Sequence, residues 1–528
     1  MIKHGIRLAP AAALALLPAI MAGPATEASP APAGGAAPVA WVVNQSLLSA
    51  TKGSVTPIDT ATNRVIKKIP VPGNAIAVAL APDGRTAWVA LDAARPGGHG
   101  EVVPVSTSDY HVGKTVKVAC ILPDTMVITP DGKTLYVGDS DSGTVAPVHT
   151  ATGTAGKPIK TGANPFAIAM AVTPDGKTVY VVNEEPDGTV TPIETATHTA
   201  GKNIKVGVTP FAIVITPDGR TAYVLNLAEG APGKGTVTPI NTATNRAGTP
   251  IPIKHAAFPL ASNLMVMTPD GKTLYAAGNT TLTPIDTATN IALPTIRVAP
   301  RHGLDTAAAI TPDGRTVYVV NSYSGTVTPI STRTNKAGPA IPVGVQPRHI
   351  AITPDSRTAY VSSTGSGTVT PISTRTNKAG KPIPVGQGAG AVAITPNGKT
   401  AYVATSAGVT PVKVRANRAG TPVPIPGGGA AIVFTPDGRT AYVMNYHGVT
   451  PVSLRANKAG RLIRAFTPVA IAITKDGRTV YVVNLERAYN TAQGSVVPIS
   501  TATNTAGKEI LVGENPGALA ITPPRCHR

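Results

Sequence analysis

The sequence is poor in most of the residues that give a chain its chemistry. Of 528 residues only 2 are cysteine, 4% are aromatic and 14% are charged. Neither cysteine, Cys120 or Cys526, lies near the N-terminus, which excludes a lipid-modified anchor there. No HExxH, phosphate-binding loop or GxSxG phrase is present, and no nucleic-acid motif accompanies the scarce aromatics. Base-specific recognition is therefore not expected, and no cofactor or metal site is called for. With so few aromatics, the core must be built from Ala, Val and Ile.

Glycine (53) and proline (52) are abundant. They recur at fixed places between β-branched runs, so they read as turn punctuation and not as low complexity.

The N-terminus reads as a secretory signal over residues 1–28. Lys3, His4 and Arg7 precede the apolar run Leu8 to Met21, and small residues at Ala22, Ala25 and Ala28 offer cleavage points. Pro10 and Pro18 break a run already too short to span a bilayer, and no other stretch could span one. Residues 29–38 form a Pro/Ala/Gly tether, 39–523 the repeats, and 524–528 a tail. The expected location is extracellular or at the cell envelope.

The phrase Thr-Pro-Asp-Gly-Lys/Arg-Thr, with small variations, sets the period. Its turn residue is Asp83, Asp131, Asp175, Asp218, Asp270, Asp313, Asp355, Asp437 or Asp476, with Asn397 substituting once. One clean copy has Ala167–Val172 as its first strand, then a Pro-Asp-Gly hairpin turn. Val179–Asn183 follows as the second strand, Gly188–Ile193 as the third, a polar turn over Thr195–Gly201, and Asn203–Val206 as the fourth. Proline in the outer strand suits an edge, because it cannot donate to a ladder. Four antiparallel strands per repeat specify an all-β fold, a β-propeller of about eleven blades. The chain opens on a second strand, Trp41–Asn44, and closes on a first strand, Ala518–Thr522. Pairing of the two would complete a shared blade. Because propellers usually have four to eight blades, one wide ring and two rings both stay open. An insertion near Leu227–Gly235 and an irregular stretch over His255–Asn263 are the candidate seams.

The phrases Val179-Tyr180-Val181-Val182-Asn183, Val317-Tyr318-Val319-Val320-Asn321 and Val480-Tyr481-Val482-Val483-Asn484, with the flanking TPDGK and GTVTPI phrases, resemble the YVTN family of β-propeller repeats in its secreted, actinobacterial, YncE-like form. The resemblance covers nearly all of the repeat region. It implies an extracytoplasmic propeller and carries no catalytic residue.

Alternating strand direction puts the turns after the first and third strands on one face of the ring, and the remaining loops on the other. The net charge of +19 is uneven: residues 330–470 hold 16 Lys/Arg against 2 acids, Asp355 and Asp437. The excess sits around the turn after the third strand, at Arg333, Lys336, Arg375, Lys378, Lys381, Arg415, Arg418, Arg455 and Lys458. These are candidate polyanion-binding residues, set against the plainer account of a repeated solvated turn. The opposite face gathers acids at Asp92, Asp139, Asp141, Glu184, Glu185, Asp187 and Glu229. Two Arg-His pairs, Arg301-His302 and Arg348-His349, are weak candidates for the axial channel. Asp139-Ser140-Asp141-Ser142-Gly143 faintly resembles a calcium loop but lacks its later ligands. Cys120 and Cys526 are placed on opposite faces, which argues against their pairing.

Three functions are carried forward. The first is a noncatalytic binding scaffold that engages anionic envelope or extracellular polymers, or protein partners at the cell surface. The second is an enzyme, a lactonase-like hydrolase or a redox protein, with its site in the axial channel. The third is a surface-layer or wall structural protein. An enzyme requires His, Arg or acid residues converging in the channel; a scaffold requires a channel of Ala, Val, Ser and Thr.

Overall fold

In a computed structural model the chain is all-β. The structure describes residues 39–44, 53–59, 64–92, 100–118, 123, 125–139, 142–162, 167–183, 188–227, 235–253, 265–277, 281–298, 307–465, 467–474, 476–484, 493–514 and 516–521. Both cysteines, the signal region and the tether lie outside them. Among the described residues no helix is long and apolar enough to cross a membrane.

The strands form eleven antiparallel sheets, each one blade. Blade 1 is shared between the chain ends. Val39–Asn44 pairs on one side with Ser54–Asp59 and on the other with Pro516–Ile521. The predicted closure by the first and last strands is present. Blades 2 to 11 then follow in chain order over 74–117, 125–160, 167–205, 210–252, 265–297, 308–342, 347–384, 392–424, 431–464 and 468–514.

The second strand explains how blades stack. In Thr178–Asn183 of blade 4, every residue from Val179 onward is buried, so there is no alternation of apolar and polar. Both sheet faces are covered: Tyr180 and Val182 pack toward blade 5, while Val179 and Val181 pack toward blade 3. The same division repeats around the ring. Eleven apolar clusters fill eleven seams between sequential blades. One joins Tyr223 and Leu225 of blade 5 to Leu274 and Ile285 of blade 6. That cluster crosses the region considered as a break between two rings. Another joins Ile58 of blade 1 to Tyr481, Val483 and Ile510 of blade 11. The blades therefore form one closed ring of eleven.

The outer strand differs from expectation. Ladder pairing already starts at Thr199–Ala200, inside the stretch expected to be a turn, and resumes at Ile204–Lys205 one residue out of register. Pro192 of the third strand is the cause. It lies opposite Tyr180, and its carbonyl accepts from the Gly201 N–H at 2.8 Å. Its ring nitrogen faces the same side and has no hydrogen to give, so the outer strand bulges around it. A Cβ on Gly201 would stand 3.1 Å from the Pro192 ring, and equivalent Gly–Pro contacts recur at Gly248–Pro239 and Gly380–Pro371.

The first turn is a self-contained hydrogen-bonded unit. In blade 4 the Thr173 hydroxyl donates to Asp175 Oδ1 at 2.6 Å, and the Lys177 N–H donates to the same oxygen at 3.0 Å. Gly176 takes φ +72° and lies against Pro130 of blade 3. The turns thus touch from blade to blade. The Thr195 hydroxyl, just after the third strand, donates to the Gly176 carbonyl at 2.7 Å. This bond ties the third turn to the first and places both on one face, as the strand alternation requires.

Candidate functional site

The face that carries these turns is built on a recurrent clasp. The second-strand tyrosine of one blade reaches the third turn of the next. Tyr180, Tyr223, Tyr275, Tyr318, Tyr360 and Tyr442 donate to Oδ1 of Asn245, Asn290, Asn335, Asn377, Asn417 and Asn504, at 2.5–2.7 Å. These asparagines sit at φ 46–56°, where a side chain is costly unless it is a short amide or carboxylate. Asparagine supplies both that backbone and the acceptor. Burial raises the pKa of the clasped phenols, to about 12 for Tyr180 and Tyr360, with a nearby aspartate adding to it. In blade 4 the turn residue is His198, whose Nδ1 meets the Tyr136 hydroxyl at 2.8 Å. Burial first, then His149, lowers the His198 pKa, which favours the neutral ring.

On this frame all nine candidate cations are exposed. Arg333 and Lys336 stand on blade 7, Arg375, Lys378 and Lys381 on blade 8, Arg415 and Arg418 on blade 9, and Arg455 and Lys458 on blade 10. These four blades are consecutive, and their outer strands touch in series. The ring therefore gathers residues dispersed over more than a hundred positions into one arc. The two acids of the segment are already engaged: Asp355 faces Arg357 at 4.0 Å and Asp437 faces Arg439 at 3.7 Å. Hydrogen bonds from Thr435, then from the Arg439 N–H, hold the Asp437 carboxyl below the usual range.

The axial wall is built from the innermost strands. Most of its described residues are half-buried Ala, Val, Ile and Met, as in Met265–Met267 and Ala308–Ile310. Arg348 and His349 open the innermost strand of blade 8, where the ladder shifts register between Pro347 and His349. Solvent reaches both. The surrounding wall still desolvates the imidazole and lowers its pKa, with Arg348 adding to the effect. At the equivalent positions blade 5 has Phe211 and Ala212, and blade 11 has Val469 and Ala470. Arg301 and His302 lie outside the described residues, as do Asp141, Glu184, Glu185, Asp187 and Glu229 of the acidic face. Asp139 is buried and accepts from the Ser142 hydroxyl. Among the described residues no group of three or more His, Cys, Asp or Glu could hold a metal.

No family model matches the chain, and no curated protein does. Three solved structures are similar in fold. Hydrazine synthase of Kuenenia stuttgartiensis is 22% identical, with a TM-score of 0.34 over 64% of this chain and 95% of that one. A dihydro-heme d1 dehydrogenase is 15% identical, with a TM-score of 0.39 over 68% and 76%. A eukaryotic initiation factor is 13% identical, with a TM-score of 0.44 over 74% and 98%. At these values the likeness carries no chemistry to this chain.

Sequence reasoning found the basic arc but missed the clasp beneath it. Each tyrosine and its asparagine are about sixty residues apart, on different blades. The available signal was the fixed Asn in the third turn, which the basic residues around it obscured.

Proposed function

We propose that the protein is a noncatalytic, extracytoplasmic scaffold that holds anionic polymers on the turn face of blades 7 to 10. The observation that carries this reading is the arc of nine exposed cations on four consecutive blades. A rigid platform with many charges of one sign raises the local concentration of a polyanion and binds it through release of its counterions. The signal-like N-terminus and the resemblance to YVTN repeats support an envelope or extracellular setting. A polymer is favoured over a small ligand because the charges spread along an arc.

The test is retention on a polyphosphate or heparin resin across a salt gradient. Retention should fall steeply with salt. Joint replacement of Arg333, Arg375, Arg415 and Arg455 by Gln should release the protein at much lower salt. Retention indifferent to salt, or unchanged in the fourfold variant, would reject the proposal. The channel-enzyme alternative has one described polar pair to stand on, Arg348 and His349.

A further inference from the structure

Blade 9 departs from its ten-copy pattern at one turn. Nine copies of the first turn carry Asp; this one carries Asn397. In eight of the nine, the carboxylate faces the Lys or Arg two residues on at 3.4–4.0 Å. Asn397 keeps the turn's hydrogen bonds, accepting from the Thr395 hydroxyl at 2.9 Å and the Lys399 N–H at 3.0 Å. It discards only the charge, so Lys399 has no carboxylate in its own turn.

Two further changes fall at the same place. The third strand of blade 9 ends on Lys413, where blades 4 and 6 end on Glu194 and Asp286. The neighbouring clasp is also open. The partner for Tyr402 would be Asn457, but Asn457 Nδ2 donates to the Thr421 carbonyl at 2.7 Å, and its buried Oδ1 has no partner. Tyr402 is 2% exposed, and its hydroxyl is not engaged by the asparagine that engages six of its counterparts.

Asn397, Lys399, Lys413 and Tyr402 line one cavity of about 270 Å³ between blades 9 and 10, open to solvent. Asn397, Lys399, Tyr402 and Lys413 come from blade 9, and Arg439 and Arg455 from blade 10. Four cations and a phenol donor line it, and no carboxylate does. Asp437 stands next to it and offsets part of the Arg439 charge at 3.7 Å.

We infer that this cavity binds a multiply charged phosphoryl group, either free or at the end of a polymer. A tetrahedral oxyanion accepts from several directions at once, which suits ammonium, guanidinium and hydroxyl donors arriving from two blades. The inference deepens the polyanion reading by naming a discrete site within the arc, and it can fail separately.

The experiment is calorimetric titration of the full chain with pyrophosphate, and with sulfate and long-chain polyphosphate as further arms. One equivalent of pyrophosphate should bind. Asn397→Asp restores the residue that nine other blades carry, so it should fold with unchanged Tm while weakening pyrophosphate by about tenfold or more. Tyr402→Phe should weaken it several-fold. The pair Arg333→Gln and Arg375→Gln, remote from the cavity, should leave pyrophosphate unchanged and reduce polyphosphate retention. Binding of pyrophosphate by Asn397→Asp as by wild type overturns the site, and so does no binding by wild type. If polymer retention persists in either case, the arc stands without the cavity. If pyrophosphate binds and polymer does not, the site stands without the arc. Equal binding of sulfate assigns the site to oxyanions in general and overturns phosphoryl preference.

Discussion

The seam between blades 8 and 9 and the seam between blades 9 and 10 share one backbone and differ in how their surfaces are settled. At the first, the Tyr360 hydroxyl donates to Asn417 Oδ1 at 2.7 Å and to the Val414 carbonyl at 3.2 Å, and Asp355 faces its own Arg357. At the second, Tyr402 lacks its asparagine and the turn aspartate has become Asn397. Both seams keep their apolar cluster. The contrast separates two tasks within one repeat. Packing between second strands holds the ring, while the polar residues above it are free to change.

The largest effect should be common to both seams. Replacing Tyr360 or Tyr402 by Ala removes a fully buried ring, and each should cost about 3–5 kcal/mol in denaturant unfolding. An inequality well beyond the worth of the Tyr360 hydrogen bond would break the claim that packing is shared. The next test isolates the clasp. Tyr360→Phe should cost about 1 kcal/mol, the net value of one hydrogen bond, whereas Tyr402→Phe should cost almost nothing. Equal losses would show that Tyr402 is bonded after all.

Two pH experiments sharpen the same contrast. The phenol of Tyr360 is pushed up to about 12 from an ordinary value of 10. Folding thus favours its protonated form, and that stability is complete below pH 10 and lost as pH rises from 10 toward 12. Tyr360→Phe should remove one share of the alkaline loss in Tm, the other raised phenols keeping theirs. At the acid end, the His198 pKa is held below its ordinary 6.5 by burial and by His149. A base lowered on folding contributes stability above 6.5 that is lost as pH falls through the lowered value. His198→Asn supplies the acceptor used at six other seams and should remove this acid sensitivity. The smallest effect is expected at Arg357→Gln, whose side chain is 85% exposed, and no shift in Tm should be measurable.

The architecture was legible because its punctuation is periodic. Asp-Gly turns, β-branched runs and the unmatched strands read at Trp41–Asn44 and Ala518–Thr522 sufficed for blades and closure. A single ring was not legible, because whether blade 5 meets blade 6 depends on long-range packing of Tyr223, Leu225 and Leu274. The third-strand proline was visible in every copy, yet the bulge it forces needs the direction of its missing N–H. The basic arc could be read by counting. The cavity could not, because the open clasp of Tyr402 depends on where Asn457 turns its amide.

Sharing blade 1 between the chain ends has a consequence for biogenesis. Val39–Asn44 is made long before one of its two neighbours, Pro516–Ile521. At about 5–20 residues per second, the wait is on the order of a minute. Throughout it, the edge of Val39–Asn44 that belongs to Pro516–Ile521 offers unsatisfied backbone groups to any passing strand. A chain that ends before Pro516–Ile521 would be left with that adhesive edge.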